Sequence, residues 1–588
     1  MAIQVESSRV IRFGAFELDA AKGELRKEGI LLKMYPQPLR VLLLLAERPG
    51  QTVTREEIQH SLWGDNTFVN FERGINFCIN QVRVALGDDA EEPRYVETLP
   101  RRGYRFIAPV KIDVAIAPTA VSAQMSQLPA GEVSPSVAVL PFENLSGDPA
   151  QDYFADGMTE TLITQLGKIS ALRVISRQSI MQYAGTKKSV PQIADELKIS
   201  AVIEGSVLRL GDRVRVSVQL IEAVPERHLW AESYDRQVQD VLALHGEIAR
   251  TIAREIKVTL TPQEDTRLAD GRAVNPAVNE AHFRSRSLLD RRTKADIDEA
   301  LVAAHRAIEL DPFFAPAYAS LAEAYLALGF YEPGRGTELT AKANTASRKA
   351  LGLDDSLSSA HYTLAAIHGT RWDWPEAEVE YQQAIELNPS NALAHLWYSD
   401  LLLILGRVNE AEAEAQRALE LDPLSFQAYY AVGAHLYYAR RYGEFIEQCQ
   451  GWVKRNPNLD WNRHHGLGGA YLQMGRCEEA IAELRAALKS STMYEHTATE
   501  LAYALAVAGK RKAALKVLRS VQNVPWKTFG AALVQTGLGE RDKAFTSLEQ
   551  AIELRAPLVI LLKVDPRFDA LRPDPRFPNL LRRVNLPE

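Results

Sequence analysis

The sequence predicts a multidomain chain, α+β as far as about residue 262 and all-α beyond it. Three observations say so. Residues 36 to 106 read as three helices followed by strand, turn, strand. Residues 136 to 262 alternate strand-like and helix-like segments. Further on, AIELDP at 307 returns as ALGLDD at 350, AIELNP at 384 and ALELDP at 418. At 588 residues the chain is also too long for a single core.

Hydrophobic residues at 46% and charged residues at 24% describe an ordinary globular protein, and a net charge of −7 excludes a global polyanion-binding surface. Any nucleic-acid site has to be local. The three cysteines, Cys78, Cys449 and Cys477, form no ligand or redox spacing and fit a reducing compartment. MAIQVESSRVIRFG lacks the apolar core of a signal peptide. Residues 114 to 131, VAIAPTAVSAQMSQLPAG, carry no charge, yet two prolines and five Ser, Thr or Gln side chains argue for a linker rather than a span.

IRFGAFELDAAKGELRKEGILLKM alternates apolar and polar residues around turn signals, as a small antiparallel sheet does. PQPLRVLLLLAERPG is a helix opened by prolines and stopped at Pro49-Gly50. TVTREEIQHSLWGD offers Thr54 and Glu57 as a capping box for a second helix. In NFERGINFCINQVRVALGD, the residues Ile75, Cys78, Ile79, Val82 and Leu86 make one apolar stripe. The face away from it is read as Arg73, Asn76, Asn80 and Arg83, side-chain types that reach guanine (Arg) and adenine (Asn) edges. A solvated face is the alternative, although such faces mix Glu and Lys and only Glu72 appears here.

The strand, turn, strand that follows, ETLPRRGYRF at 97 to 106, puts Arg101 and Arg102 at a hairpin tip. Three helices and a basic wing are the plan of a winged helix-turn-helix. Residues 9 to 110 closely resemble the OmpR/PhoB-type DNA-binding domain, whose closing run Arg-Gly-x-Gly-Tyr-Arg-Phe stands here as PRRGYRF. Pro100-Arg101 replaces the commoner Arg-Gly. The resemblance implies a recognition helix from Phe71 to Leu86 and DNA contacts from Arg101, Arg102 and Tyr104 of the wing. It also implies that the loop WGDNTFVNF can touch RNA polymerase. Residues 1 to 110 hold fifteen Lys/Arg and fifteen Asp/Glu, so non-specific affinity should be weak and binding should rest on local contacts and a homodimer.

After a linker at 111 to 135, residues 136 to 262 read as an α/β domain, with RVRVSVQLIEA alternating strictly. AVLPF, GMTETLITQL and VIEGSVLRLGDRVRVSVQLIEA resemble the TolB amino-terminal-like domain. No catalytic constellation, cofactor motif or metal spacing is present in it. Asp152, Asp156 and Glu160 share a helix face, read as solvated, with a divalent-ion site as the alternative. His228 near Trp230 reads as packing.

The recurring hexads continue as weak echoes at Trp452 and Ala487, spaced 43, 34, 34, 34 and 35 residues apart. A 34-residue helix–turn–helix period is that of the tetratricopeptide repeat. Ser399, Ala411 and Ala418 are small where helices cross, Gly406 turns the chain and Pro423 ends a repeat. The 43 step is one repeat with YEPGRGTEL inserted. Seven or eight repeats then run from 277 to 560, and residues 561 to 588 cap them. His361, His395, Trp397 and Tyr429 are read as packing, with the concave groove as the alternative.

The predicted order is a winged helix-turn-helix, a TolB-like α/β domain and a tetratricopeptide-repeat α-solenoid. It resembles soluble members of the ToxR/CadC/HilA group of bacterial transcription regulators. That resemblance implies a cytoplasmic, non-enzymatic, sequence-specific regulator without a receiver domain, binding double-stranded DNA, RNA polymerase and a protein on the repeat groove. The alternative is a cytoplasmic scaffold whose winged helix contacts protein.

Overall fold

The structure is a computed structural model. It describes residues 9–14, 16–19, 24–27, 30–32, 36–46, 48–55, 57–58, 71–89, 93–99, 102–108, 110–114, 135–148, 151–269, 274–291, 293–455, 460–490, 494–556 and 558–587. They fall into two units, Met1–Glu132 and Val133–Glu588.

In the first unit, β1 (Arg9–Phe13), β2 (Phe16–Asp19), β3 (Glu24–Lys27) and β4 (Ile30–Leu32) form the expected antiparallel meander. Its register sets Ile11 opposite Leu18 and Leu18 opposite Leu25, so the buried residues of three strands line one face. Helix α1 (Pro36–Ala46) buries Leu42, Leu45 and Ala46 on that core, beside the stripe of α2 (Phe71–Leu86). A second sheet runs in the order β5 (Thr52–Val53), β7 (Gly103–Phe106), β6 (Val96–Leu99), and β8 (Lys111–Val114) returns to pair with β1. The capping box forms as expected: Glu57 Oε2 accepts from Thr54 N at 2.8 Å and Thr54 Oγ1 accepts from Glu57 N at 3.2 Å. The remainder of that predicted helix, and the loop thought to reach RNA polymerase, lie outside the described residues.

The second unit opens with a six-stranded sheet. Strands β9 (Ser136–Val139), β10 (Glu143–Asn144), β11 (Arg173–Val174) and β12 (Ala201–Leu210) pair in parallel, and β13 (Arg213–Ala223) and β14 (Glu226–Gln237) add an antiparallel meander. The strict alternation of β13 turns Val214, Val216, Val218 and Leu220 into one core, which is covered by α3 (Asp152–Gly167) and α6 (Val241–Glu255). The opposite face is covered by α4 (Arg177–Ile180) and α5 (Val190–Leu197). Helix α7 (Pro262–Ala269) leads out of the domain.

Eight antiparallel helix pairs follow among the described residues. They are α8/α9 (Pro276–Arg291, Lys294–Leu310), α10/α11 (Ala315–Tyr331, Gly336–Leu353), α12/α13 (Ser358–Thr370, Trp374–Leu387) and α14/α15 (Ala392–Ile404, Val408–Leu421). Then come α16/α17 (Phe426–Tyr438, Tyr442–Arg455), α18/α19 (Asp460–Gln473, Cys477–Ser490), α20/α21 (Tyr494–Val507, Arg511–Ser520) and α22/α23 (Val524–Gly537, Arg541–Glu553). Ser399, Ala411 and Ala418 have no exposed surface, which is what close helix crossing needs. The insert at residue 331 lengthens its own pair: α10 has 17 residues where α12 has 13, and α11 has 18 where α13 has 14. From the third pair onward every turn between paired helices passes through positive φ, at Trp372, Gly406, Arg440, Gly475, Gly509 and Gly539. Only glycine enters that region without steric cost.

The C-terminal segment does more than cap the last pair. Arg576 stacks on Phe545 of α23 at 4.1 Å, while Trp374 Nε1 donates to Val584 O at 2.9 Å and Arg440 Nη2 meets Asp569 at 2.9 Å. The tail, with α24 (Phe577–Arg583), thus also reaches back to the third and fifth pairs.

The solenoid is seated on the middle domain through Phe283 of α8, which packs edge-on against Phe154 at 5.7 Å. A Cβ on Gly157 would stand 2.2 Å from the Phe283 ring. Gly157→Ala should therefore cost about 1–3 kcal/mol by overpacking and lower the urea midpoint of the full chain. Amide exchange should rise first in α3 and α8. An unchanged midpoint with unchanged exchange would show that this contact does not hold the two parts together.

Candidate nucleic-acid interface

Helix α2 presents its stripe to the core as predicted, with Ile75, Cys78, Ile79, Val82 and Leu86 at most 3% exposed. Asn80 is exposed on the other side. Arg73 and Asn76 lie on the same helix, but their side chains are outside the described residues.

Arg83 corrects the sequence reading. It is only 9% exposed, and its Nη2 donates to Val96 O at 3.0 Å and to Thr98 Oγ1 at 2.8 Å. The reason is helical arithmetic. Arg83 follows Ile79 by four residues, and at about 100° per residue it stands only about 40° beyond it. Its guanidinium therefore meets β6 rather than solvent. Tyr104 is corrected too: it is 2% exposed, pairs with Val53 across β5 and β7, and has the Arg55 guanidinium over its ring at 5.1 Å.

Asp88, which the sequence reading missed, completes the joint. Gly87 ends the helix at φ +63°, and the Asp88 carboxylate then accepts from Arg94 N at 2.6 Å, Tyr95 N at 3.2 Å and Val96 N at 2.8 Å. An Asp directly after a helix-stopping Gly is the available signal, because its short side chain reaches nearby backbone donors. Arg83 and Asp88 together fix the end of α2 to the first wing strand.

At the wing, Arg102 is exposed and its N–H donates to Leu99 O at 3.0 Å, closing the turn. Arg101 and Pro100 lie outside the described residues. Gly103 has φ +137°, and a Cβ there would sit 2.1 Å from Val53 O, so this glycine lets β7 approach β5. Arg94 is exposed, and Arg105 is half-exposed with Glu97 at 3.7 Å.

In the middle domain, Asp156 and Glu160 are neither solvated nor gathered for a cation. Asp156 faces Arg177 at 3.5 Å, Glu160 accepts from Arg286 Nε at 2.7 Å, and Asp152 accepts from Asn144 Nδ2 at 2.8 Å. No group of metal-binding side chains occurs among the described residues. His228 is exposed on β14 rather than packed.

The solenoid histidines are part of its framework. His361 Nδ1 bonds Glu380 at 2.6 Å with its Nε2 3.0 Å from Asp355 O; His395 Nδ1 bonds Glu414 at 2.5 Å with its Nε2 3.1 Å from Pro389 O. His464 pairs with Glu483 in the same way, nineteen residues on. Burial pushes the His361 pKa down, but the hydrogen bonds to Glu380 and to Asp355 O and the charges of those two carboxylates together outweigh it, leaving a net rise.

Two variants separate the helix's two roles. Asn80→Ala should lose about 1–3 kcal/mol on a preferred site and leave binding to random DNA unchanged. Arg83→Ala strands Val96 O, so it should cost about 1–3 kcal/mol of stability and weaken all DNA sequences alike. Equal losses on both DNAs for Asn80→Ala would remove it from the reading face; paired melting curves and gel shifts report both.

Four successive segments of the chain match known protein families. Residues 29–106 match the family "Transcriptional regulatory protein, C terminal", and 133–251 match "HilA/YgeH-like transcriptional regulator, second domain". Residues 362–425 match the tetratricopeptide repeat and 429–532 the bacterial transcriptional activator domain. Transcriptional regulator HilA of Salmonella typhimurium is 24% identical over 405 residues, 68% of each chain. The cholera toxin transcriptional activator of Vibrio cholerae is 31% identical over 81 residues, 14% of this chain and 28% of its own. A Rhizobium meliloti protein bearing the name adenylate cyclase 3 is 40% identical over 241 residues, 41% of this chain and only 40% of its own length. Three of the four matched families are described as parts of transcription regulators, and the fourth is the tetratricopeptide repeat. The chain is thus similar to the ToxR/CadC/HilA group of transcription regulators, and its head to the OmpR/PhoB-type winged helix.

Proposed function

We propose that the protein controls transcription by reading duplex DNA with α2 and holding the duplex with its wing. The observation that carries this is the joint at Arg83 and Asp88, which fixes an exposed Asn80 and an exposed Arg102 on one small frame. In this reading Asn80, with Arg73 and Asn76, meets base edges in the major groove. Arg101 and Arg102 meet phosphate or the minor groove. With as many acidic as basic residues in residues 1 to 110, one head attracts DNA weakly, so two copies act together on one site.

The protein has no catalytic role in this proposal. The solenoid offers a protein-binding surface, and RNA polymerase is reached through the head. Its place is the cytoplasm, a reading supported by the two prolines of the linker. No helix among the described residues is long and apolar enough to cross a membrane.

The charge balance of the head favours one rival, a scaffold whose winged helix contacts protein. A gel shift of the full-length chain on genomic fragments, at several stated salt concentrations, separates the two. Regulation predicts fragments retained selectively over random DNA. The double variant Arg101→Ala, Arg102→Ala should weaken every sequence and flatten log K against log salt by about two units. An unchanged slope would place the wing tip in solvent even in the complex, and no selective retention would leave the scaffold.

A further inference from the structure

The first helices of the repeats line the inside of a curve. Phe330, near the end of α10, has its ring centroid 6.5 Å from that of Trp397 on α14, although a whole helix pair separates them in the chain. Packed helices stand about 8–10 Å apart, so rings two pairs apart meet only where the stack bends towards them. Phe330 is 71% exposed and Trp397 is half-buried, so this concave face is open.

Its charge is unlike that of the neighbouring helices. The first helices of pairs three to five, α12, α14 and α16, contain no Lys or Arg, and Asp400 is their one carboxylate. The second helices α13 and α15 hold four glutamates each, so the scarcity belongs to the inner face and not to this part of the chain. Asp400 is exposed and has no hydrogen-bond or ion-pair partner among the described residues. It is also hemmed in by protein: burial alone pushes its pKa up to about 7.

No cation of the chain itself is free to serve it here. His361, His368 and His395 each bond another carboxylate, and His435 has no exposed surface. In the tail, Lys563 is spent on Pro587 O, and Arg567 on Asp565 and Glu500.

Aromatic side chains stand beside the carboxylate. Trp397 precedes Asp400 by three residues and so shares its side of α14. Tyr430 of α16 is 38% exposed, and the charge of Asp400 reaches it. Ring faces attract a cation and a carboxylate neutralises it, so the two together select positive charge. A guanidinium suits them best among protein cations. It is flat enough to stack on a ring, and its paired N–H groups match both oxygens of one carboxylate.

We propose that the concave face of pairs three to five receives an arginine side chain of a partner protein, held by Asp400 beside Trp397 and Tyr430. The proposal rests on the reading of the solenoid as a protein-binding surface and gives the partner's segment its charge. It does not depend on what the head binds.

The test is calorimetric titration of the full-length chain with acetyl-Gly-Leu-Arg-Leu-Gly-amide, with the same peptide carrying Gln for Arg, and with methylguanidinium. The arginine peptide should bind saturably and about tenfold or more tightly than the glutamine peptide. Asp400→Asn should remove most of that preference and leave the glutamine peptide unchanged. Tyr430→Leu, which keeps the carboxylate, is the second variant and should weaken the arginine peptide several-fold. Melting curves of both variants establish that they fold. Equal affinity for the two peptides, or a preference that survives both substitutions, would overturn the arginine site and leave the solenoid a protein-binding surface. No saturable binding of either peptide would overturn both. Methylguanidinium binding as tightly as the arginine peptide would overturn the partner protein in favour of a free small cation.

Discussion

One guanidinium decides where the solenoid begins. Arg286 reaches Glu160 of the middle domain and Glu323 of the second helix pair, each at 2.7 Å, and all three side chains are at most 21% exposed. Two carboxylates at that depth would repel each other and favour protonation. Burial works against the charge on Arg286 as well, yet the two carboxylates hold its pKa well above the ordinary value, and Glu160 is held below its own. Truncating Arg286 would leave two buried carboxylates uncompensated, a loss on the order of 3–5 kcal/mol. Since the triad joins α3, α8 and α10, it sets the direction of the stack against the sheet. The loops at Ser390 and Asp422 meet the middle domain along the line this imposes, and a cleft is left between the two attachments.

Along the stack a second constraint takes over. Six successive turns pass through positive φ, four of them at glycine. At Trp372 and Arg440 the chain accepts a conformation that costs an L-residue roughly 1–2 kcal/mol. Both side chains are used by later segments: the Arg555 guanidinium, just past α23, lies 4.5 Å over the Trp372 ring, and Arg440 pairs with Asp569 of the tail. The tail is itself a small repeat. DPRF occurs at 565 and again at 574, and each Asp Oδ1 accepts from the backbone N–H of the Arg two residues on, at 2.9 and 3.0 Å. The first copy sends Arg567 inward to Glu500, where both are at most 6% exposed, and Phe568 against Phe529. That end of the solenoid interior is therefore occupied by the chain's own terminus.

What could be read from the sequence was whatever repeats or alternates. The stripe of α2, the alternation of β13 and the 34-residue period each state a local geometry, and each appears. The insert after residue 331 could be located but not shaped, because adding turns to two helices leaves the same spacing as adding a loop. Three of the failures share one cause. Arg83, Asp156 and Glu160 are polar residues whose partners lie on another element, and polarity alone assigns them to solvent. Arg83 could have been rescued by its angle from Ile79. Nothing near Glu160 in the sequence announces Arg286, more than a hundred residues away, and Gly157 gives no hint of Phe283.

The head shows how few groups a reading helix can release. With Arg83 committed to Val96 and Thr98, a cation that would otherwise face DNA holds the wing instead. Asp88 spends its carboxylate on three backbone donors of the segment entering β6. Both choices spend charged groups on contacts within the head and tie the helix to the wing. A rigid frame loses less conformational freedom on binding, so fewer contacts suffice once they are correctly placed. Under the function proposed above, a neutral, rigid head suits discrimination among sites rather than tight holding of any one of them, with affinity supplied by the number of heads on the same stretch of duplex.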